Sequence, residues 1–181
     1  MMVDYVTLML VNMAAGFFLL GCFVWRGLDT EDRPNWTPAF GICGLVAAVC
    51  GFVMTFTWPL PKPYSTAYGE MSVLLGVLFL GTALALARGW GLMPLSLYAF
   101  FAGAAAILLG VRIIELGLTN APILSGAGFL LSGAAGIFAP VVVWQYEQKI
   151  LRVLAAISLF ATSAIWVWTG YLAYWAHMAV K

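Results

Sequence analysis

Residues 39–56 read AFGICGLVAAVCGFVMTF, an apolar run without a charged side chain. As a helix rising about 1.5 Å per residue, a run of this length approaches the roughly 30 Å needed to cross the hydrocarbon core of a bilayer. Five other stretches have the same character, so the predicted spans are 5–25, 37–58, 71–88, 94–116, 121–144 and 150–176. The pattern predicts an all-α, polytopic transmembrane helical bundle of about six helices, with residues 1–181 as a single integral membrane domain.

The composition of the whole chain agrees with a membrane-embedded bundle. Hydrophobic residues make up 64% of its 181 residues, whereas soluble domains carry about 45–50% apolar residues. The net charge of +1 gives no indication of nucleic acid as a partner. The lipid bilayer is the expected environment, and the expected location is a multi-pass position in the plasma membrane.

Lysines and arginines between the spans predict the orientation, because cytoplasmic loops carry the excess of positive charge. The connections after the first, third and fifth spans hold five of them: Arg26, Arg33, Arg88, Lys149 and Arg152. The opposite side holds three, namely Lys62, Arg112 and Lys181. This bias predicts that both termini lie outside the cytoplasm.

Glycines seven residues apart recur in two of the spans, as Gly44 and Gly51 in the second and as Gly103 and Gly110 in the fourth. Each of these spans precedes another that contains a glycine pair, in GVLFLG and GFLLSG. Either a weak repeat of helix hairpins or ordinary packing by small residues accounts for the pattern. Asn12 in the first span is expected to hydrogen-bond to a neighbouring helix.

Most prolines fall at predicted span boundaries, because proline fits the first turn of a helix and disrupts its interior. Pro140 is the exception and is expected to kink the fifth span. The three cysteines all fall within apolar segments and are interpreted as small buried hydrophobic residues, with a metal or redox site as the alternative.

The segment TWPLPKPYSTAYGE, residues 57–70, is the most specific connection between spans. Its alternating prolines predict an extended or polyproline backbone, followed by Tyr64, Tyr68 and Glu70. Arg112 and Glu115 end the fourth span and are neighbours on one helix face. Under the predicted topology the polar groups at the outer ends of the spans converge: Glu70, Arg112, Glu115, Asp4, Asn120 and His177. Tyr64, Tyr68, Glu70, Arg112 and Glu115 are either interfacial anchors with a local ion pair or a ligand-binding site.

Two kinds of cofactor site are compatible with the residues, although no cofactor is strongly implied. Glu70, Glu115 and the sole histidine, His177, are candidate ligands for a divalent metal. The aromatic last span is typical of a membrane-interface belt. The alternative for that span is a surface on which a quinone, pigment or haem stacks, formed by Trp168, Tyr171 and Trp175 with Trp166 and Tyr174 beside them.

Three stretches together resemble a family of small archaeal and bacterial multi-pass membrane proteins that is catalogued only as a domain of unknown function. They are residues 4–28, residues 57–70 with the pattern Trp-Pro-Leu-Pro…Tyr…Gly-Glu, and residues 115–133. Gly, Asn and Phe are usual in that family where this chain has Lys62, Ser65 and Tyr68. The resemblance implies a helical bundle of this size and a meaningful cluster at residues 57–70, but no activity.

Three functions remain open from the sequence. No nucleotide-binding, CxxC or GxSxG motif indicates an enzyme. Because ionisable residues are absent from the middle of the spans, the leading hypothesis is a non-catalytic subunit or binding component of a membrane complex, with other membrane subunits or further copies as partners. The second is a small membrane enzyme or metal- or quinone-binding protein with an outer-face Glu70/Glu115 site. The third is a transporter, which only the possible repeat favours.

Overall fold

The computed structural model describes residues 5–28 and 31–179, apart from the side chain of residue 62. Within that part of the chain there are six long helices and no strand. Each helix is long and apolar enough to cross a membrane, which confirms the predicted all-α polytopic fold. They are α1 (Val6–Gly27), α2 (Arg33–Thr57), α3 (Ser65–Arg88), α4 (Met93–Leu116), α5 (Pro122–Trp144) and α6 (Lys149–Met178).

Successive helices run in opposite directions, which gives the bundle two ends. The terminal face holds the start of α1, the end of α6 and the α2–α3 and α4–α5 connections. The loop face holds the other three connections. Thr7 Oγ1 lies 3.2 Å from His177 Nδ1, so the first and last helices meet at the terminal face.

Exposed tryptophans lie near both ends of the bundle. Trp25 and Trp144 are exposed near the loop face, and Trp58 and Trp175 near the terminal face. Tryptophan is enriched where a protein passes from lipid to headgroups. The two belts fit a multi-pass membrane protein whose helices cross the full bilayer.

The helices form a closed ring in chain order. The pairs α1–α6, α2–α3 and α4–α5 pack most closely, and looser contacts between these pairs complete the ring. Ser163 Oγ donates to the Ala14 carbonyl at 2.8 Å and ties α6 to α1. Asn12 Nδ2 donates to the Cys43 carbonyl at 2.9 Å and ties α1 to α2. The predicted interhelical role of Asn12 is therefore confirmed.

Glycines bring the backbones of two helix pairs into direct contact. A Cβ atom on Gly76 in α3 would overlap the main-chain nitrogen of Ala48 in α2. A Cβ atom on Gly103 in α4 would lie 2.5 Å from the carbonyl oxygen of Gly133 in α5. The other glycines singled out in the sequence make similar contacts: Gly44, Gly51 and Gly110. Glycine-mediated backbone contact thus joins the helices of both the α2–α3 and the α4–α5 hairpin. These small-residue faces pack within the chain.

The structure corrects part of the prediction of an extended segment between α2 and α3: residues 58–61 are not helical, but helical structure begins at residue 62. Residues 62–64 form a helical turn and residues 65–70 a wider π-type turn that continues into the rest of α3, so the third span begins at Ser65 instead of residue 71. Ser65 accounts for the tight connection. Its hydroxyl donates to the Leu60 carbonyl at 2.8 Å and accepts from the Leu60 N–H at 3.2 Å. One buried side chain therefore satisfies the backbone between the prolines.

The fifth span is not interrupted at its internal proline. Helix α5 continues through Pro140 and ends at Trp144. Proline removes one backbone donor from a helix interior but does not always end the helix. The predicted kink at Pro140 stays a prediction.

Basic side chains at the loop face are held against the protein. Arg33 Nε donates to the Leu28 carbonyl at 2.8 Å, and the Arg26 guanidinium lies 4.7 Å from the Trp25 ring centroid. Arg152, which the charge count placed with the loop residues, lies within α6 and is only 6% exposed. Lys181 lies outside the described residues. The side of the membrane on which each face lies stays a prediction.

Candidate functional site

The ring of helices encloses a cavity of about 550 Å³, within the range of about 300–1,000 Å³ that small-molecule sites occupy. Among the described residues, its lining comes from every helix except α2, and from the α1–α2 and α3–α4 connections. The lining begins near the loop face, with Leu92 and Leu151, and reaches Met71 and Trp166 deeper in the bundle. The cavity therefore extends from the loop face past the middle of the bundle.

The cavity walls are apolar almost throughout. None of the described lining residues is charged, and the polar ones are Thr82, Ser96, Ser132 and Ser158. The hydroxyls of Thr82, Ser96 and Ser132 donate to carbonyl oxygens of their own helices at 2.8, 2.7 and 2.7 Å. A charged solute in this cavity would lose its hydration with little compensation. The walls favour an uncharged occupant.

Three aromatic side chains pack together at the end of the cavity nearer the terminal face, where Phe129 and Trp166 belong to its lining. The Phe129 ring centroid lies 5.7 Å from that of Tyr68 and 5.5 Å from that of Trp166, and both pairs meet edge to face. Trp166 Nε1 donates to Ser132 Oγ at 3.1 Å. Phe129 is 3% exposed and Trp166 is fully buried. We refer to Tyr68, Phe129 and Trp166 as the aromatic barrier.

A glycine makes room for this arrangement. A Cβ atom on Gly128 would lie 2.7 Å from Cζ2 of Trp166, so the indole packs directly against the backbone of α5. Gly128 and Ser132 are four residues apart on one face of α5, so this contact and the hydrogen bond to Ser132 hold the indole against that face. Features of α5 therefore hold the Trp166 ring, which extends from α6.

Hydroxyl groups continue from the aromatic barrier to the terminal face. The Tyr68 side chain interacts with that of Ser125, and Thr119 Oγ1 donates to Ser125 Oγ at 3.0 Å. The Tyr64 hydroxyl donates to the Leu118 carbonyl. These contacts join the α2–α3 connection and the start of α3 to the α4–α5 connection and to α5. Polar groups thus lead from the terminal face to the barrier.

The five predicted site residues separate into two groups. Tyr64 and Tyr68 join the hydroxyl network at the mouth of the bundle. Arg112 and Glu115 form an ion pair at 2.9 Å on the outside of α4, with side chains 55% and 54% exposed, and Glu70 is also exposed. None of the five lines the cavity. A ligand-binding role for this outer group stays a prediction.

The described part of the chain does not contain an assembled site of the kind that the metal hypothesis requires. Among residues 5–28 and 31–179, no group of three or more His, Cys, Asp or Glu side chains is placed to hold a metal ion. Glu70, Glu115 and His177 are therefore not brought together as a set of ligands. Trp168, Tyr171 and Trp175 are exposed on α6, with relative exposures of 61%, 58% and 81%. Their binding of a quinone stays a prediction.

Sequence reasoning missed Phe129 and Ser132 as site residues and placed Trp166 only beside the aromatic face of the last span. A signal was present in α6. Thr162 and Gly170 lie four residues on either side of Trp166, on the same helix face, and all three are buried. Small and polar residues at this spacing distinguish the buried face of the helix from the face that carries Trp168.

The comparisons with known proteins agree with this architecture. A family model described as "Protein of unknown function (DUF981)" matches residues 1–180, which confirms the resemblance to a family of unknown function. No match is found among curated proteins.

Two solved structures share the fold. The Helicobacter pylori urea channel in its closed state, from cryo-electron microscopy, aligns with a TM-score of 0.73 at 17% identity over 94% of this chain and 98% of that one. The crystal structure of the urea channel from the same organism aligns with a TM-score of 0.72 at 18% identity over 95% and 98%. At these identities the likeness establishes the helical membrane fold alone.

Proposed function

The chain belongs to the DUF981 family of unknown function, and we propose that it is a gated membrane channel for a small uncharged molecule. The observation that carries this proposal is the cavity of about 550 Å³ inside the helix ring, with no charge among its described lining residues. In this proposal the aromatic barrier is the gate on the terminal side of the cavity. A passing solute would meet the hydroxyl network, the barrier and then the cavity.

The shared fold supports the same class of function. The two similar structures are of a urea channel, and urea is itself small and uncharged. The six described helices are continuous across the middle of the bundle, and their π-type turns lie near helix ends. Carriers that alternate between two openings typically use helices broken at the midplane. A gated channel therefore fits this chain better than such a carrier.

The proposed position is the plasma membrane, with the terminal face outside the cell. This orientation follows from the excess of lysine and arginine in the connections of the loop face. It makes the hydroxyl network the outer entrance and the cavity the inner vestibule.

The test is solute permeation in vesicles that contain the purified full-length protein. We expect osmotic swelling with urea, acetamide or glycerol to be faster than in protein-free vesicles, and sodium permeation to be unchanged. Ala106 lines the cavity and is 8% exposed, so Ala106→Trp should fill the cavity and abolish the acceleration. Ala104, two residues away on the exposed side of α4, provides the matched control Ala104→Trp, which should behave like the wild type.

Equal effects of the two tryptophan variants would contradict a path through the cavity. If no solute crosses faster than in protein-free vesicles, the result would favour the second candidate, a subunit or binding component of a membrane complex. The observation that favours this candidate is the exposed aromatic face of α6, where Trp175 is 81% exposed. That face is available to a partner helix as well as to lipid headgroups.

An outer-face site at Tyr64, Tyr68, Glu70, Arg112 and Glu115 is a separate proposal. Because the Arg112–Glu115 pair is more than half exposed, its loss should change the free energy of unfolding by no more than about 1 kcal/mol. Glu115→Gln and Glu70→Gln are therefore expected to fold. A loss of bound metal or small molecule from these variants, measured by elemental analysis and native mass spectrometry, would support the site, whereas unchanged content would contradict it.

A further inference from the structure

The cavity lining extends beyond the interior of the ring. On α5, Ser132 lines the cavity and accepts a hydrogen bond from Trp166 of α6. Ala134 and Phe138 also line the cavity, yet at 3.6 residues per turn they are rotated by about 160° and 120° from Ser132. Phe138 is 61% exposed. The cavity therefore continues around α5 to the side of the helix that faces the surrounding membrane.

Helix α6 provides the opposite edge of this side opening. Leu154 lines the same cavity and is 60% exposed. It lies five residues into α6, and Phe138 lies six residues before the end of α5, so both are about 8–9 Å inside the loop face. Ala155 beside Leu154 and Ala134 beside Phe138 are small, which leaves space between the helices.

We propose that this opening admits an acyl chain of a membrane phospholipid, which occupies the cavity while the headgroup stays at the loop face. At the depth of Phe138 and Leu154 the bilayer offers hydrocarbon, not water. The walls carry no charge among the described lining residues, and three of their four hydroxyls are engaged with their own helices. Walls of this kind suit a chain of methylene groups better than they suit a polar headgroup. The inference uses the cavity of the proposed function but does not require a solute to cross it.

The experiment uses a phosphatidylcholine with a photoreactive diazirine near the end of one acyl chain, in vesicles that contain the full-length protein. After illumination, peptide mass spectrometry locates the cross-links. We expect cross-links at Phe17 and Ala106, which line the cavity and are 5% and 8% exposed, as well as at the exposed Phe101. Ala134→Trp should block the opening and abolish the two interior cross-links while the one at Phe101 persists. Ala104→Trp is the matched control and should retain all three.

Phe138→Ala widens the opening and should increase interior cross-linking, so the test remains decisive if Ala134→Trp does not fold. Interior positions that remain unlabelled in the wild type while Phe101 is labelled would overturn the inference. Equal interior labelling of Ala134→Trp and Ala104→Trp would also overturn it. Solute permeation in the same vesicles separates the two proposals. Permeation without interior cross-links would support the channel and contradict the lipid site. Interior cross-links without permeation would support the lipid site and contradict the channel.

Discussion

Replacing Gly76 with alanine is expected to force α2 and α3 apart and to lower the free energy of unfolding by about 1–3 kcal/mol, the usual cost of overpacking. The added methyl group would overlap the Ala48 nitrogen and lie 2.8 Å from the Ala48 Cα. Both are main-chain atoms that no change of side-chain rotamer can move away. Helices in lipid associate largely through close van der Waals packing. The loss of close contact between α2 and α3 is therefore not compensated by a hydrophobic effect.

A second glycine in the same hairpin provides the control. A Cβ atom on Gly41 in α2 would find only the Ala83 Cβ, at 3.9 Å, which is an ordinary contact. Gly41→Ala is therefore expected to stabilise α2 by about 0.5–1 kcal/mol, because glycine is the poorer helix residue. Circular dichroism during unfolding in mixed detergent micelles measures both variants. If both variants changed the free energy of unfolding in the same direction, backbone contact would not be what holds this hairpin together.

Opening the aromatic barrier is expected to have the largest effect on function. Trp166→Ala removes an edge-to-face contact with Phe129 and a hydrogen bond to Ser132. These interactions contribute about 0.5–1.5 kcal/mol each. If they hold the channel closed, losing both should raise permeation of an uncharged solute by about five- to a hundredfold, since about 1.4 kcal/mol corresponds to a factor of ten. Phe129→Ala should act in the same direction.

Trp168→Ala is the matched control for the barrier. Trp168 lies two residues from Trp166 on the same helix but is 61% exposed, so its loss should leave permeation unchanged. Trp166→Phe keeps most of the ring volume and removes only the N–H donor, which separates the hydrogen bond from packing. Stopped-flow light scattering on vesicles measures all of these variants. Slower permeation in Trp166→Ala than in the wild type would contradict a gating role for the barrier, provided that circular dichroism confirms the helical fold.

If both sets of variants behave as expected, the bundle combines rigid and adjustable parts. The backbone contacts of the α2–α3 and α4–α5 hairpins tolerate no added atom at Gly76 or Gly103. The barrier is instead made of side chains, which can change rotamer without separating any helices. A gate in this fold therefore requires only local movement of aromatic rings between fixed hairpins.

The residues that line the cavity could not be identified as a site from the sequence. The sequence directed attention to Tyr64, Glu70 and Glu115, because polar residues are conspicuous in an apolar chain. The structure places Tyr64 at the mouth of the bundle and both glutamates on exposed surfaces. The cavity itself is lined mostly by leucine, alanine, phenylalanine and valine, with a few small polar residues. The same apolar residue types also make up the exposed surface of the helices. Their identity alone could not mark them as a site.

The sequence by itself determined the six spans, the interhelical role of Asn12 and the importance of the paired glycines. These features depend on length, on the need to satisfy a polar group in lipid and on side-chain size, all of which can be read locally. Only the tertiary structure decided that residues 62–70 are helical, because the supporting Ser65 hydroxyl bonds back to Leu60. It also decided that Trp166 faces inward while Trp168 faces outward. In water a polar outer face would have made that distinction visible, but in a bilayer the interior of the bundle and the surrounding solvent are both apolar.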